Sequence, residues 1–262
     1  MLLRIEDLDV AYRDEDGTET LAARDVDLTL DRSEVLGVVG ESGGGKTSVA
    51  MSVARLLPSP PAHWPKGRIL LDGEDVLRMS PEALRQARSR RIGVVFQDPT
   101  AALSPLWRIG DQLAERARLS GRTAAAHDQA LEWLGKVGLP DPAATARAYP
   151  HELSGGMQQR VMVAMALLPE PDLVIADEPT TALDVTNQAQ VLRLLRELRR
   201  ANAAVMLVTH DLAVASQMAT RIAVMQAGRV VETADDAAEF FCHPKHPYSQ
   251  TLIGEARKME LT

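Results

Sequence analysis

The sequence predicts an α/β domain with a mainly parallel central sheet, an antiparallel β subdomain and an inserted helical subdomain. Three observations carry that expectation. A short β-rich run, EVLGVVG, leads through a glycine loop into TSVAMSVARLL, which has helical spacing. Strand and helix alternate again from PDLVIAD to DLAVASQMAT, the pattern of a parallel sheet covered on both faces. Between these two parts, from about Asp98 to Leu168, the periodicity is mostly helical and no strand is convincing.

Each element follows in order. Residues 2–12 alternate loosely, and RDEDGTET reads as a turn to a second strand. PSPPAHWPKG reads as a proline-rich loop, and GRILLDGEDV as a short strand and turn. SPEALRQARS starts a helix, with Ser80 placed to cap it and Pro81 at the first helical position. RIGVVFQ is a strand that ends at Gln97. After the helical stretch come the strand PDLVIAD, the helix TNQAQVLRLLRELRR, the strand AAVMLVTH and the helix DLAVASQMAT. RIAVMQAGRVVET reads as a small hairpin, and helices follow it. The expected division is a core with its β subdomain over 1–97 and 169–233, a helical subdomain over 98–168, and a short helical tail over 234–262.

Composition narrows the function classes. A chain of 262 residues, 45% hydrophobic, is long enough to bury a sizeable core. Its net charge of -7 argues against a general nucleic-acid binder, so no nucleic-acid partner is expected. A single cysteine, Cys242, allows no internal disulfide and fits a reducing compartment. The longest apolar run, VMVAMALL, falls far short of the ~20 residues that a membrane span needs. MLLRIEDLDVAY carries acidic residues where a secretory signal would continue its apolar stretch. The expectation is a soluble, cytoplasmic chain, in which any membrane role must come through a partner.

Residues 40–47, GESGGGKT, match the P-loop pattern, with a strand before and a helix after. Gly43, Gly44 and Gly45 let the backbone curl so that its N–H groups face one anion, and the helix N-terminus adds a favourable dipole. The expected phosphate site runs over Gly40, Glu41, Ser42, Gly43, Gly44, Gly45, Lys46, Thr47 and Ser48. Lys46 would reach the β- and γ-phosphates of ATP, and the Thr47 hydroxyl would ligate Mg²⁺. Asp177, at the end of the buried strand LVIAD, would hold Mg²⁺ through water. Glu178 follows it and could polarise the attacking water. Gln97 can donate and accept, so it can touch metal-bound water and sense the γ-phosphate. His210, after a strand end, could donate to that phosphate.

Taken together, GESGGGKT, Gln97, LSGGMQQR, LVIADEP, TALD and His210 resemble the nucleotide-binding subunit of an ABC transporter. GESGGGKTSVAMSVARLLP, VVFQDPTAALSPLWRIGDQLAE, DEPTTALDVTNQAQVLRLL and HPKHPYSQTLI resemble, more narrowly, the ATPase subunits of peptide and nickel importers, over nearly the whole chain. The resemblance implies an ATP hydrolase that powers uptake of a small solute. Di- or oligopeptide comes first, nickel or a metal chelate second. It implies membrane permease subunits and a second ATPase subunit, a copy or a paralogue, in a head-to-tail dimer. It also implies an extracytoplasmic solute-binding protein and a peripheral place on the cytoplasmic face of the inner membrane. A rival reading stays open: the ATPases of the carbon–phosphorus lyase system share the P-loop context, SGGMQQR and an HPY tail.

Further roles rest on the same resemblance. Ser154, Gly155, Gly156 and Gln158 of the signature would act on the ATP of the partner subunit. The residues agree: SGG before MQQRVMVAMALL is a capped helix start, an anion site without a lysine of its own. Asp184 would lie at the dimer seam, or simply cap the helix after it. Tyr12 falls where the family stacks an aromatic ring on adenine, or is a packed strand tyrosine. DPTAALSPLWRIG is the candidate docking surface for the permease, with Leu106 and Trp107 as anchors; subdomain core is the other reading. Gly44 and Ser104 stand where serine and asparagine are usual, and neither change removes a needed group. Longer members end in a cysteine cluster proposed to hold iron–sulfur, which a lone Cys242 does not support. Cys242, His243 and His246 form a C-H-x-x-H that leaves metal binding as a question.

Overall fold

The loose alternation at the start of the chain has a local cause. Strand β1 (Leu3–Arg13) buries Leu3 and Ile5, then changes phase and buries Leu8 and Val10. The change falls at Asp7, whose φ is 49°, inside a register break between Ile5 and Leu8. A bulge shifts every following side chain by one position, so the apolar pattern must shift with it to stay on the core face. The computed structural model describes residues 1–180 and 183–259, in two compact units: Met1–Met79 with Met206–Thr262, and Ser80–Val205.

In the first unit β1 pairs antiparallel with β2 (Glu19–Leu30) across the expected turn. Strand β3 (Val35–Val39) is buried at every position and feeds through the glycine loop into α1 (Lys46–Val53). Strand β4 (Ala62–Leu71) returns to β1, and β5 (Glu74–Asp75) completes a sheet ordered β2-β1-β4-β5. Here the loop expected over PSPPAHWPKG is too long, because β4 already starts at Ala62. The strand tolerates Pro65 because it falls at a register shift against β1, and β5 pairs with β4 only at Leu70 and Leu71.

The second unit contains the stretch, from about Asp98 to Leu168, over which helices are expected. Helix α2 (Pro81–Arg90) starts as expected, with the Ser80 hydroxyl accepting from the Ala83 amide. Strand β6 (Ile92–Val95) follows, then α3 (Ile109–Leu119), α4 (Ala126–Lys136), α5 (Pro142–Arg147) and α6 (Gly155–Leu167). Strand β7 (Leu173–Asp177) lies parallel to β6, with Val95 opposite Ala176, and α7 (Val185–Arg200) comes next. Half-buried Arg116 on α3 donates to the carbonyls of Met165, Arg88 and Ile92, which ties α6, α2 and β6 to one guanidinium.

Strand β8 (Ala204–Thr209) leads the chain back to the first unit. Helix α8 (Leu212–Met218), the hairpin β9 (Arg221–Gln226) and β10 (Arg229–Ala234), and helices α9 (Ala237–Cys242) and α10 (Pro247–Met259) complete it. β9 runs parallel to β3 and antiparallel to β10, giving the order β10-β9-β3-β8. Val39, Leu212, Ile222, Val224, Phe240 and Ile253 form a buried cluster that joins sheet and tail helices.

Candidate nucleotide site and signature helix

The glycine loop is bound by steric necessity as well as by flexibility. Gly40 has φ 146°, and a Cβ there would lie 2.1 Å from the Met225 carbonyl oxygen. Gly45, the N-cap of α1, has φ 88°, and a Cβ would lie 2.3 Å from the Ala22 carbonyl oxygen. Neither position admits another residue without moving backbone. Lys46 is 7% exposed, and its Nζ donates to the carbonyls of Gly40 at 2.8 Å and Glu41 at 2.7 Å. No side chain caps α1, and no acidic residue sits in its first turn, so that end keeps its affinity for an anion. Glu41, Ser42, Gly43 and Thr47 are exposed, whereas Gly44 is buried and Ser48 half-buried. A Cβ at Gly44 would meet the Glu41 carbonyl oxygen at 3.1 Å, so the usual serine would fit only tightly.

The same unit brings Tyr12 to this loop. Its hydroxyl lies 3.2 Å from the Ser48 hydroxyl, so β1 carries the ring to the first turn of α1. His210 is exposed and directly follows β8.

In the second unit the strand ends gather the other candidates. Gln97 is exposed and lies two residues past the end of β6 rather than on it, because the strand closes at Val95. Asp177 ends the adjacent β7 at 2% exposure, and Glu178 follows at 9% with φ 49°. Hydroxyl and carboxylate oxygens, such as those of Thr47 and Asp177, are the hard donors that Mg²⁺ takes.

The signature starts α6 as the residues predict. Ser154 is its N-cap, with the hydroxyl accepting from the Met157 amide at 3.4 Å. Gly155 is exposed, and nothing lies within 4 Å of where its Cβ would be, so the helix end is open. Gln158 turns inward: its amide donates to the carbonyls of Pro150 at 2.8 Å and Leu153 at 3.3 Å, bracing the loop before the helix. Gln159, fully buried, donates to the Pro179 carbonyl at 2.9 Å and so ties the signature helix to the segment after Glu178. Sequence reasoning passed over Gln159; the only signal was a second glutamine placed where α6 meets its own unit. Asp184 caps α7, accepting from the Asn187 amide at 3.0 Å and from its side chain at 2.6 Å. Those two hydrogen bonds hold its carboxyl below the usual carboxylate range. Thr181 and Ala182, the first half of TALD, lie outside the described residues.

Leu106 and Trp107 are 82% and 53% exposed, so they are not subdomain core. Their loop is held from beneath by buried Gln112, which accepts from the Ser104 amide and donates to the carbonyls of Ser104 and Trp107. The C-H-x-x-H is not assembled as a metal site: among the described residues no group of three or more potential ligands forms. His246 instead accepts from the Tyr248 amide through Nδ1.

Comparison with known proteins gives a consistent picture. The family model described as ABC transporter matches residues 23–181. The oligopeptide transport ATP-binding protein OppD of Bacillus subtilis is 41% identical, over 99% of this chain and 73% of its own length. The dipeptide transport ATP-binding protein DppD of the same organism is 43% identical, over 99% of this chain and 78% of its own. Among solved structures, a dimeric post-hydrolysis state of the ATP-binding cassette MJ0796 bound to ADP and Pi matches with a TM-score of 0.79 and 26% identity. That match covers 89% of this chain and 98% of the cassette.

Proposed function

The chain belongs to the ABC transporter family, and from that premise we propose that it is the ATP-hydrolysing subunit that powers uptake of di- or oligopeptides through membrane permease subunits. The observation that carries the reading is the glycine cradle itself, with buried Lys46 and an uncapped α1 behind it. The peptide assignment draws on the named functions of the OppD and DppD relatives.

Each residue then has a task. Lys46 and the N–H groups of the loop compensate phosphate charge. The Thr47 hydroxyl and the Asp177 carboxylate are the oxygen donors that would hold Mg²⁺, and the ion would supply the positive charge that phosphoryl transfer needs. Glu178 orients and polarises water, and Gln97 and His210 contact the γ-phosphate side. The open end of α6, with Ser154, Gly155 and Gly156, takes the ATP of a second ATPase subunit in a head-to-tail dimer. The dimeric state of the MJ0796 cassette supports that arrangement. Leu106 and Trp107 offer the permease an apolar surface at little desolvation cost. Among the described residues no helix is long and apolar enough to cross a membrane. As the subunit of an importer, the chain would sit peripherally on the cytoplasmic face of the inner membrane, with the solute-binding protein across it.

The test is Glu178→Gln. ATP hydrolysis should fall at least ~100-fold, the lower end of what a positioned general base contributes. A fluorescent ATP analogue should still bind, and ATP should trap a dimer on gel filtration. Ordinary turnover by the variant would remove Glu178 from the mechanism.

A further inference from the structure

The tail motif HPKHPYSQTLI has no part in the site so far, yet its hydrogen bonds lead to the P-loop. Glu232 on β10 accepts from the backbone amides of Lys245 at 2.9 Å and His246 at 2.8 Å, which docks the tail on the hairpin. His246 in turn accepts from the Tyr248 amide at 3.2 Å, and Pro247 takes the first position of α10. These contacts fix the start of the helix. The Tyr248 ring then packs against the cluster of Val224, Phe240 and Ile253. Its hydroxyl accepts from the Glu41 amide at 3.0 Å.

That amide belongs to the peptide unit between Gly40 and Glu41, whose carbonyl accepts from Lys46 Nζ at 2.8 Å. The unit is planar, so holding its N–H holds its C=O as well. Tyr248 and Lys46 therefore grip opposite ends of one rigid plate. The plate needs a grip: Gly40, on one side, sits at φ 146° and has no side chain to restrain it.

We propose that Tyr248 is a positioning residue for nucleotide binding, its hydroxyl holding the Gly40–Glu41 peptide in the orientation from which Lys46 and the following N–H groups meet phosphate. The proposal rests on the reading that this loop holds ATP. Losing the hydroxyl leaves the ring and its packing in place but frees the plate to rotate. One net hydrogen bond of preorganisation corresponds to an affinity loss of about three- to tenfold.

The experiment uses the full chain with Tyr248→Phe and Tyr248→Ala. Binding of a fluorescent ATP analogue is titrated, and amide exchange is resolved at Glu41 and along α10. Tyr248→Phe should bind about three- to tenfold more weakly, with faster exchange at Glu41 and unchanged protection in α10. Wild-type affinity in Tyr248→Phe, or unchanged exchange at Glu41, overturns the proposal. So does weakening accompanied by general loss of protection in α10, which would mark a merely structural role. Tyr248→Ala should open α10 as well, which calibrates that last outcome. A Lys46→Ala control separates the two readings. If the unmodified chain binds no better than Lys46→Ala, the nucleotide reading of the loop fails; if it binds and Tyr248→Phe matches it, only the role of Tyr248 fails.

Discussion

Gln112→Met tests whether the exposed apolar loop is held by design of its neighbours. Methionine nearly matches glutamine in volume and flexibility, so the change removes polar contacts and little else. Gln112 is 7% exposed and makes three hydrogen bonds to the loop: one from the Ser104 amide at 2.9 Å, one to the Ser104 carbonyl at 3.0 Å and one to the Trp107 carbonyl at 2.9 Å. Each is worth about 0.5–1.5 kcal/mol net. The upper end does not apply to all three, because Ser104 and Trp107 are exposed and water can reach their freed backbone. The buried methyl thioether also recovers about 1 kcal/mol of apolar transfer. The expected loss is therefore about 1–2.5 kcal/mol, or roughly 4–9 °C in Tm for a unit of this size. Chemical unfolding measures the loss, and amide exchange over residues 104–108 should accelerate while the P-loop stays protected. A change below about 0.5 kcal/mol with unaltered exchange in that loop would refute the reasoning, since the polar contacts would then do no holding.

Other outcomes follow from the same contacts. Leu106→Ser with Trp107→Ser should leave stability within about 0.5 kcal/mol, as befits exposed side chains, while co-purification with permease subunits from native membranes is lost. Ser154→Arg should block hydrolysis and leave binding of an ATP analogue by the single chain nearly intact; loss of binding as well would place the signature on its own nucleotide. The tail should also respond to acid. Burial alone would raise the Glu232 carboxyl, but the hydrogen bonds it accepts, those of the Lys245 and His246 amides among them, outweigh it and hold it below the ordinary 4.5. A depressed carboxylate stabilises above its unfolded value and loses that contribution as pH falls through the folded one. Protection of the amides of residues 245–250 should thus be full above about pH 5 and fall as the pH drops below the ordinary carboxylate value. Glu232→Gln should show the weakened protection at neutral pH already.

What could be read ahead of the structure divides by the range of the interactions involved. The P-loop, the capping of α2, α6 and α7, and the strands β3, β7 and β8 are local matters. A buried strand is a run of apolar residues, and a cap is one side chain acting three residues on. Where a local rule met a tertiary exception, it misled. Pro65 reads as loop, yet an unpaired edge and a register shift let β4 run through it. Asp7 blurs the alternation of β1 because the bulge that explains it is set by pairing with distant strands.

The braces were invisible for a different reason. Gln112, Gln158, Gln159 and Tyr248 each hold backbone that carries a candidate functional group, and each does so by a hydrogen bond to a main-chain atom. A main-chain partner leaves no mark on the residue type of the position it belongs to. Spacing therefore cannot reveal it: Tyr248 meets the amide of a residue 207 positions away, and any amino acid but proline would present the same amide. Chemistry that needs a particular side chain, such as Lys46 or Glu178, stands out in a sequence. Chemistry that only needs a peptide plane held still does not, and here part of the holding comes from side chains outside the loop, as it does from Tyr248 for the glycine loop. Functional braces are thus to be sought among polar side chains turned onto the main chain of functional loops, whatever their distance along the chain.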